Sequence, residues 1–292
     1  MTQPTAESRL MTVRNQPMRA TEWREMCERP GATVVEAEVG ELALVPERGQ
    51  IALHWQFEDL DSMRLHFQPM FDELRQEIAE ADVDLIRLDL VQVRNRDWLK
   101  PLLDGAAFDF FAEWLEMTHP GLDPEAIPEF PEGVTMRRAG DDDVERMFEI
   151  WGSAYGELKE AAGTFDFYLD EHSWAGVLEA GGEVVAFAMN GPVRAAAGEV
   201  FDAAVAPEHW GKGYGQLVLA AAAYQLTTQD ARRATIRVRP DVKQALRICS
   251  ELGFKPGQGG LEYHRTTDEE LIAQRREQRR VAGVKARFGK WR

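Results

Sequence analysis

Between Glu199 and Leu219 the chain reads EVFDAAVAPEHWGKGYGQLVL, and the residues whose types and spacing could do chemistry are concentrated there. A strand-like run ends at Pro207, a turn carries Gly211, Gly213 and Gly215, and an apolar helical run follows at once. Glycines permit positive φ and close backbone approach, so successive amides of such a turn can converge on one anion. The start of the following helix adds unpaired N–H groups and the positive end of its dipole. Lys212 supplies a charge beside them. The chemistry this suits is the binding of a phosphate or pyrophosphate. Neither common phosphate fingerprint fits: a Walker loop needs four residues between its first Gly and Gly-Lys-Ser/Thr, and the dinucleotide GxGxxG spacing is broken by the even placement of the three glycines. Spacing alone leaves a phosphate loop of uncertain kind, with a ligand-free glycine turn as the bland alternative.

The same residues carry a resemblance. Pro207 to Gly215 is similar to the Arg/Gln-x-x-Gly-x-Gly/Ala motif of the Gcn5-related N-acetyltransferase (GNAT) superfamily, with Trp210 at the Arg/Gln position. Downstream, Ala245 to Phe254 resembles that family's Asn-x-x-Ala-x-x-x-Tyr-x-x-x-Gly-Phe block. The resemblance covers roughly residues 132 to 266 and extends to the first 130 only as a faint repeat. It implies acetyl-CoA as co-substrate, with the amides of Trp210, Gly211, Lys212, Gly213, Tyr214 and Gly215 holding the pyrophosphate. It also implies that the preceding strand bulges and splays, and that Ala203 and Val205 pair with the pantetheine arm and polarise the thioester carbonyl. Glu199, eleven residues before Trp210, falls where one branch of the family carries its general base, and a carboxylate desolvated in a cleft suits that work. The alternative is a solvated strand-entry residue. Asp202 is a second candidate base, expected on the opposite face of the strand from Glu199.

Two departures stand out. Val242 occupies the Asn position of the second block and Cys249 the Tyr position, where the family's Tyr often returns a proton to the departing thiolate. Cys249 is thus the positional candidate for general acid, although a thiol is shorter and a different acid; the bland reading is a buried small residue on a helix. Tyr155, Tyr168, Tyr214, Tyr263 or water are the other proton sources. The segment Phe165 to His172 offers an aromatic and acidic lip suited to a cationic amine, with core packing of Phe165 and Phe167 as the alternative.

The elements that must position these groups follow from periodicity. The expected order is a strand over 134–138, a helix opened by Asp141, Asp142 and Asp143, a hairpin over 174–189, a strand over 199–206, a helix over 213–228, a strand over 234–238, a helix over 241–252 and a last strand near 261–265. The fold class is mixed α/β, α+β-like in having an antiparallel meander before a strand–helix–strand unit. The first half repeats part of this order: strand 51–57, helix 71–81, strand 84–90, a short helix over 98–103 and strand 108–115. Ile86, Arg87 and Leu88 correspond to Ile236, Arg237 and Val238 at an offset of 150 residues. Two readings stay open, a tandem duplication with an eroded first copy or an unrelated α/β cap. The expected domains are a degenerate GNAT-like or cap domain over 1–125, the acyl-CoA-binding domain over 132–266 and a basic C-terminal helix or tail over 267–292, with a Pro-rich linker over 118–133. After Phe57 the first half reads EDLDSMR, which repels pyrophosphate, so its expected role is scaffold, acceptor-site wall or the surface of a homodimer.

Composition bounds the partners. The net charge is −16, with 34 Lys and Arg against 50 Asp and Glu. From Asp268 to Arg292 eight Lys and Arg face four Asp and Glu, a local +4, which leaves −20 for the rest. So acidic a body disfavours nucleic acid and favours an amine or basic peptide. No run approaches the roughly 20 apolar residues of a membrane span. Two distant cysteines exclude a disulfide scaffold and suit a reducing cytoplasm. The six histidines show no metal spacing. The function expected is acetyl transfer from acetyl-CoA to a primary amine by direct attack; the alternative is a CoA-binding or sensing protein without turnover.

Overall fold

Alternation and turn chemistry build two units, each a meander of strands followed by a strand–helix–strand crossover. The computed structural model describes residues 12–78, 85–92, 97–155, 158–268, 270, 272–274 and 277. The chain divides into one unit of Met1–Ala112 with Gly260–Arg292 and a second of Glu113–Gly259. The basic residues expected in a C-terminal helix, Arg275 through Arg292, lie outside the described residues.

In the first unit β1 (Val13–Arg14) and α1 (Ala20–Cys27) precede a meander of β2 (Thr33–Ala37), β3 (Gly40–Glu47) and β4 (Gln50–Phe57). Helix α2 (Leu60–Ile78) crosses to β5 (Leu85–Val91), and α3 (Lys100–Gly105) follows. The buried residues Met63, Phe67, Met70, Phe71 and Leu74 fall at helical spacing, and that stripe packs on Leu42, Leu53, Trp55, Ile86 and Leu88. The helix was expected to begin only at Phe71. It runs through Pro69 because burying the stripe outweighs the hydrogen bond that proline removes.

Strand β6 (Asp109–His119) leads into the second unit, which contains β7 (Val134–Arg138), a 3-10 turn at Asp141–Asp143, α4 (Val144–Tyr155), α5 (Leu158–Glu171), β8 (Trp174–Ala180), β9 (Glu183–Asn190), β10 (Ala197–Val205), α6 (Tyr214–Thr227), β11 (Arg233–Val238) and α7 (Lys243–Glu251). The acidic turn caps α4 as expected: Asp143 accepts the Gly140 amide at 2.8 Å and both Nη atoms of Arg137 at 2.6 and 2.8 Å. The sheet order β7-β8-β9-β10-β11 is antiparallel except for the parallel pair β10–β11, and Leu115–His119 of β6 pairs antiparallel with β11. One face packs on α6 and α7 through Val200, Val218, Leu219, Ala222 and Cys249. The other packs on α4 and α5 through Met147, Trp151, Phe165, Phe187 and Ala204. The mixed α/β architecture is the one expected. The segment Phe165 to His172, expected as a lip, belongs mostly to α5, and Phe165 is fully buried in this second core.

The last strand, β12 (Lys255–Thr266), is longer than the sequence suggested. Its residues from Gly260 to Thr266 pair antiparallel with β5 and so complete the first unit's sheet.

Candidate acyl-donor site

The site is built where β10 leaves β11. The two strands pair in parallel at Ala197–Arg233, Gly198–Ala234 and Glu199–Thr235, and beyond Glu199 no further β10–β11 pair occurs among the described residues. From Val200 onward β10 stays paired only with β9, and a bulge interrupts that register between Val200 and Asp202. A bulge adds one residue to one strand, so it kinks the strand and shifts its alternation by one.

That shift decides which backbone groups face the gap. The Ala206 amide donates to the Val185 carbonyl at 2.9 Å, so this is a hydrogen-bonded pair. Antiparallel pairs alternate, so Asp202 and Ala204 also direct their amides and carbonyls at β9, while Ala203 and Val205 direct theirs the other way, into the gap. Side chains shift too. Before the bulge, Val200 and Gly198 face α6, the latter with Leu226 directly over its Cα. After it, Ala203 and Val205 take that face while Phe201, Asp202 and Ala204 look toward α4 and α5. Asp202 was expected on the face opposite Glu199. The extra residue reverses this and brings both carboxylates to the α4 side of the sheet.

Two of the gap-facing groups are held by the protein's own side chains. Asp202 Oδ1 accepts the Ala203 amide at 2.7 Å, and its Oδ2 accepts Trp151 Nε1 from α4. The Trp210 indole, 62% exposed, donates Nε1 to the Val205 carbonyl at 2.8 Å. Sequence reasoning missed Trp151, which reads as one more apolar residue of the α4 stripe.

Past Val205 the chain turns through Pro207–His209, a turn tied to α4 by Glu208 accepting Arg146 Nη2 at 2.9 Å. Gly211 and Gly213 follow at φ +80° and +85°, and a Cβ at either would meet nothing within 4 Å. Their role is conformational, and the space over the turn is open. Gly215 differs: a Cβ there would lie 3.1 Å from Ile248 Cδ1 and 3.7 Å from Val205 Cγ2, so it lets α6 approach α7 and β10. Gly213 is the N-cap of α6 and contributes no side-chain cap. Among the described residues, the amides of Gly211, Lys212, Gly213, Tyr214 and Gly215 donate to no protein acceptor. Five free donors at a helix N-terminus fit an anion such as a pyrophosphate. Lys212 is exposed, with Nζ 3.0 Å from His209 Nδ1.

The positional candidate for general acid is Cys249. Cys249 is 1% exposed, packed in the core beneath α7, and burial pushes its thiol up to about 11. Such a thiol stays protonated at neutral pH and fits core packing. Val242, at the family's Asn position, is the exposed N-cap of α7. Among the described residues no group of three His, Cys, Asp or Glu side chains could hold a metal ion, and no helix is long and apolar enough to cross a membrane.

Comparisons with known proteins bear on this geometry. Residues 142–254 match the model of the acetyltransferase (GNAT) family. No curated protein matches the chain. Among solved structures, a GCN5-related N-acetyltransferase from Kribbella flavida is 22% identical with a TM-score of 0.54, over 80% of this chain and 88% of that one. One from Sphaerobacter thermophilus is 16% identical with a TM-score of 0.54, over 85% and 86%. A tandem GNAT protein from the clavulanic acid biosynthesis pathway is 13% identical with a TM-score of 0.54, over 82% and 84%. At these identities the likeness is one of fold. Taken with the motifs and the parted strands, the family match gives the conclusion that the chain carries, within residues 142–254, a domain of the GNAT acetyltransferase family.

Proposed function

We propose that the second unit is an N-acetyltransferase that moves an acetyl group from acetyl-CoA to a primary amine of a small molecule or peptide. The observation that carries this reading is the row of free amides from Gly211 to Gly215, set at the end of a strand whose Ala203 and Val205 groups face an unpaired gap. The turn would grip the donor's pyrophosphate, and the strand edge would take the pantetheine arm. Glu199, beside the last β10–β11 pair, would take a proton from the ammonium. The freed amine nitrogen attacks the thioester carbon, the C–N bond forms, the C–S bond breaks, the nitrogen gives up its second proton to solvent, and the departing thiolate takes one from solvent. Negative charge developing on the thioester oxygen is met by the Ala203 amide, and one such donor is worth roughly 10²- to 10³-fold in rate.

On this reading the first unit is an eroded copy of the same fold, and the acidic body favours a cationic acceptor. Both cysteines are free, which suits a reducing cytoplasm. Buried Cys249 and exposed Val242 at two family positions favour a second reading, a CoA-binding protein without turnover. Calorimetry with acetyl-CoA, followed by a thiol-release assay over a panel of amines, separates the two. Binding with release on at least one amine is expected; binding with none supports the second. The loop has its own test. Gly213→Val should lower acetyl-CoA affinity at least ~100-fold with unchanged circular dichroism, since a β-branched residue resists positive φ and would turn the amides away. Unchanged affinity refutes the loop assignment.

A further inference from the structure

We infer that Asp202 is a latch on the acyl-oxygen position: its carboxylate holds the Ala203 amide while the cleft is empty and gives it up as charge builds on the thioester oxygen. This rests on the function proposed above and adds to it a positioning residue that neither the motif nor Glu199 implies.

The bulge makes the latch possible. It brings Asp202 to the α4 side of the sheet one residue before the Ala203 amide that faces the gap. From there the carboxylate reaches round the strand edge to that amide at 2.7 Å, while its second oxygen stays on Trp151 Nε1. Asp202 is only 6% exposed, so both bonds are made in a medium poorer than water. The amide is therefore kept aimed into the gap by a fixed partner, not by mobile solvent.

The occupant's charge sets the competition. A bond to a carboxylate is roughly twice as strong as one to a neutral carbonyl. A ground-state thioester oxygen competes poorly for the amide; an oxygen carrying negative charge competes on equal terms. The latch thereby withholds the donor from the substrate and releases it to the transition state, which is the differential binding that raises turnover. Once the acetyl group has left, free CoA has no oxygen at this place and the carboxylate returns.

Three ligands measured by calorimetry test this: acetyl-CoA, CoA, and S-ethyl-CoA, which has the acyl chain's bulk without its oxygen. In Asp202→Asn the competing group is neutral. Acetyl-CoA should tighten about fivefold relative to both S-ethyl-CoA and CoA, whose affinities stay within twofold of wild type. Equal weakening of all three, or no change in their ratios, overturns the latch and leaves a structural Asp202. If the variant does not fold, the wild type alone decides through its amide NMR spectrum. The Ala203 amide proton, shifted downfield by its carboxylate partner, should stay in place with acetyl-CoA and with S-ethyl-CoA, and move on adding S-carboxymethyl-CoA, whose carboxylate brings an anionic oxygen to the acyl position. A shift with acetyl-CoA as large as that with S-carboxymethyl-CoA, or none with either, refutes the proposal. Failure of wild type to bind any of the three is a different result, and it removes the acyl-donor site itself.

Discussion

Among the described residues a parallel strand pair parts twice, and in one of the two cases the chain itself occupies the gap. In the first unit β4 and β5 pair in parallel at Ile51–Ile86 and Ala52–Arg87 and then part, as β10 and β11 do after Glu199. The first gap is filled by the polypeptide itself. Val13 and Arg14 pair with Phe57 and Gln56, and Asn15, 1% exposed, bridges the parted strands. Its Nδ2 donates to the Leu53 and Asp89 carbonyls at 3.1 Å each, its Oδ1 accepts the Trp55 amide at 2.9 Å, and its own carbonyl accepts the Val91 amide at 2.8 Å. The helix after each gap differs in the same sense. At the start of α2 the Ser62 amide is bound by Asp59 Oδ1 at 2.7 Å, and that bond holds the Asp59 carboxyl below its ordinary range. At the start of α6 the amides are free and the cap is a glycine. Topology is thus shared, and competence for an anionic ligand turns on whether edge and helix start are satisfied by fixed parts of the chain or by side chains a ligand can displace.

Removing the plug is the most damaging way to break this contrast. Asn15→Ala leaves three buried backbone groups without partners, at about 1 kcal/mol or more each, so a loss of about 3 kcal/mol is expected in urea unfolding followed by signals of the first unit. Acetyl-CoA stoichiometry should remain one per chain, because Asp59 still neutralises the start of α2. A stoichiometry of two in the variant would mean that the plug alone separates the units.

The outer faces of the two sheets differ as well. Opposite α2, the first unit buries charge: Glu47 lies 3.3 Å from His54 Nε2, 3.8 Å from Arg87 Nη2 and 3.2 Å from Arg29 Nη1. Burial alone would raise the Glu47 pKa, but these partners outweigh it and hold the carboxyl at about 2, below its usual 4.5. A depressed folded-state pKa contributes stability that is complete above pH 4.5 and lost as pH falls toward 2. Glu47→Gln should therefore cost about 2 kcal/mol at pH 6 and almost nothing near pH 2, read by urea unfolding at both. In the second unit the face toward α4 and α5 buries aromatic rings, Trp151, Phe165 and Phe187, and the ion pairs on that side, Arg137 with Asp143 and Arg146 with Glu208, use partly exposed arginines.

The sequence declared the second unit more fully than the first, for physical reasons. The glycine turn is legible because positive φ and a helix start leave a compositional mark. The 174–189 hairpin and the strand before Pro207 are legible because one face alternates. The bulge leaves no such mark: EVFDAAV reads as unbroken alternation, so Asp202 falls on the wrong face and its link to Trp151 cannot be seen. Asn15 is equally silent, since one polar residue in a short lead-in acquires meaning only when two distant strands part around it. Cys249 reads from the sequence either as a general acid or as a small residue buried on its helix, and what packs on it, Phe254 and β11, is something no local pattern brings together.

That burial gives a sharper test of which second-unit residues serve the gap. Cys249→Ala removes a sulfur from the core and should cost about 1 to 2 kcal/mol of stability, with the pH profile of turnover unchanged. Loss of the alkaline limb in that variant would restore the thiol as proton donor.

The smallest effect belongs to Trp210, whose indole is the displaceable counterpart of Asn15. Asn15 is buried and bonded to both strands, so removing it unmakes structure; Trp210 is 62% exposed and bonded to one carbonyl, so water can replace it at little cost. Trp210→Phe keeps the ring and deletes only the donor. The Val205 carbonyl is then free for a pantetheine amide without prior displacement, and acetyl-CoA should bind up to about threefold more tightly by calorimetry, with thermal stability unchanged. A tenfold weakening would show instead that the indole N–H serves the bound donor directly. In that case the second gap, like the first, would depend on a fixed residue of the chain to complete it.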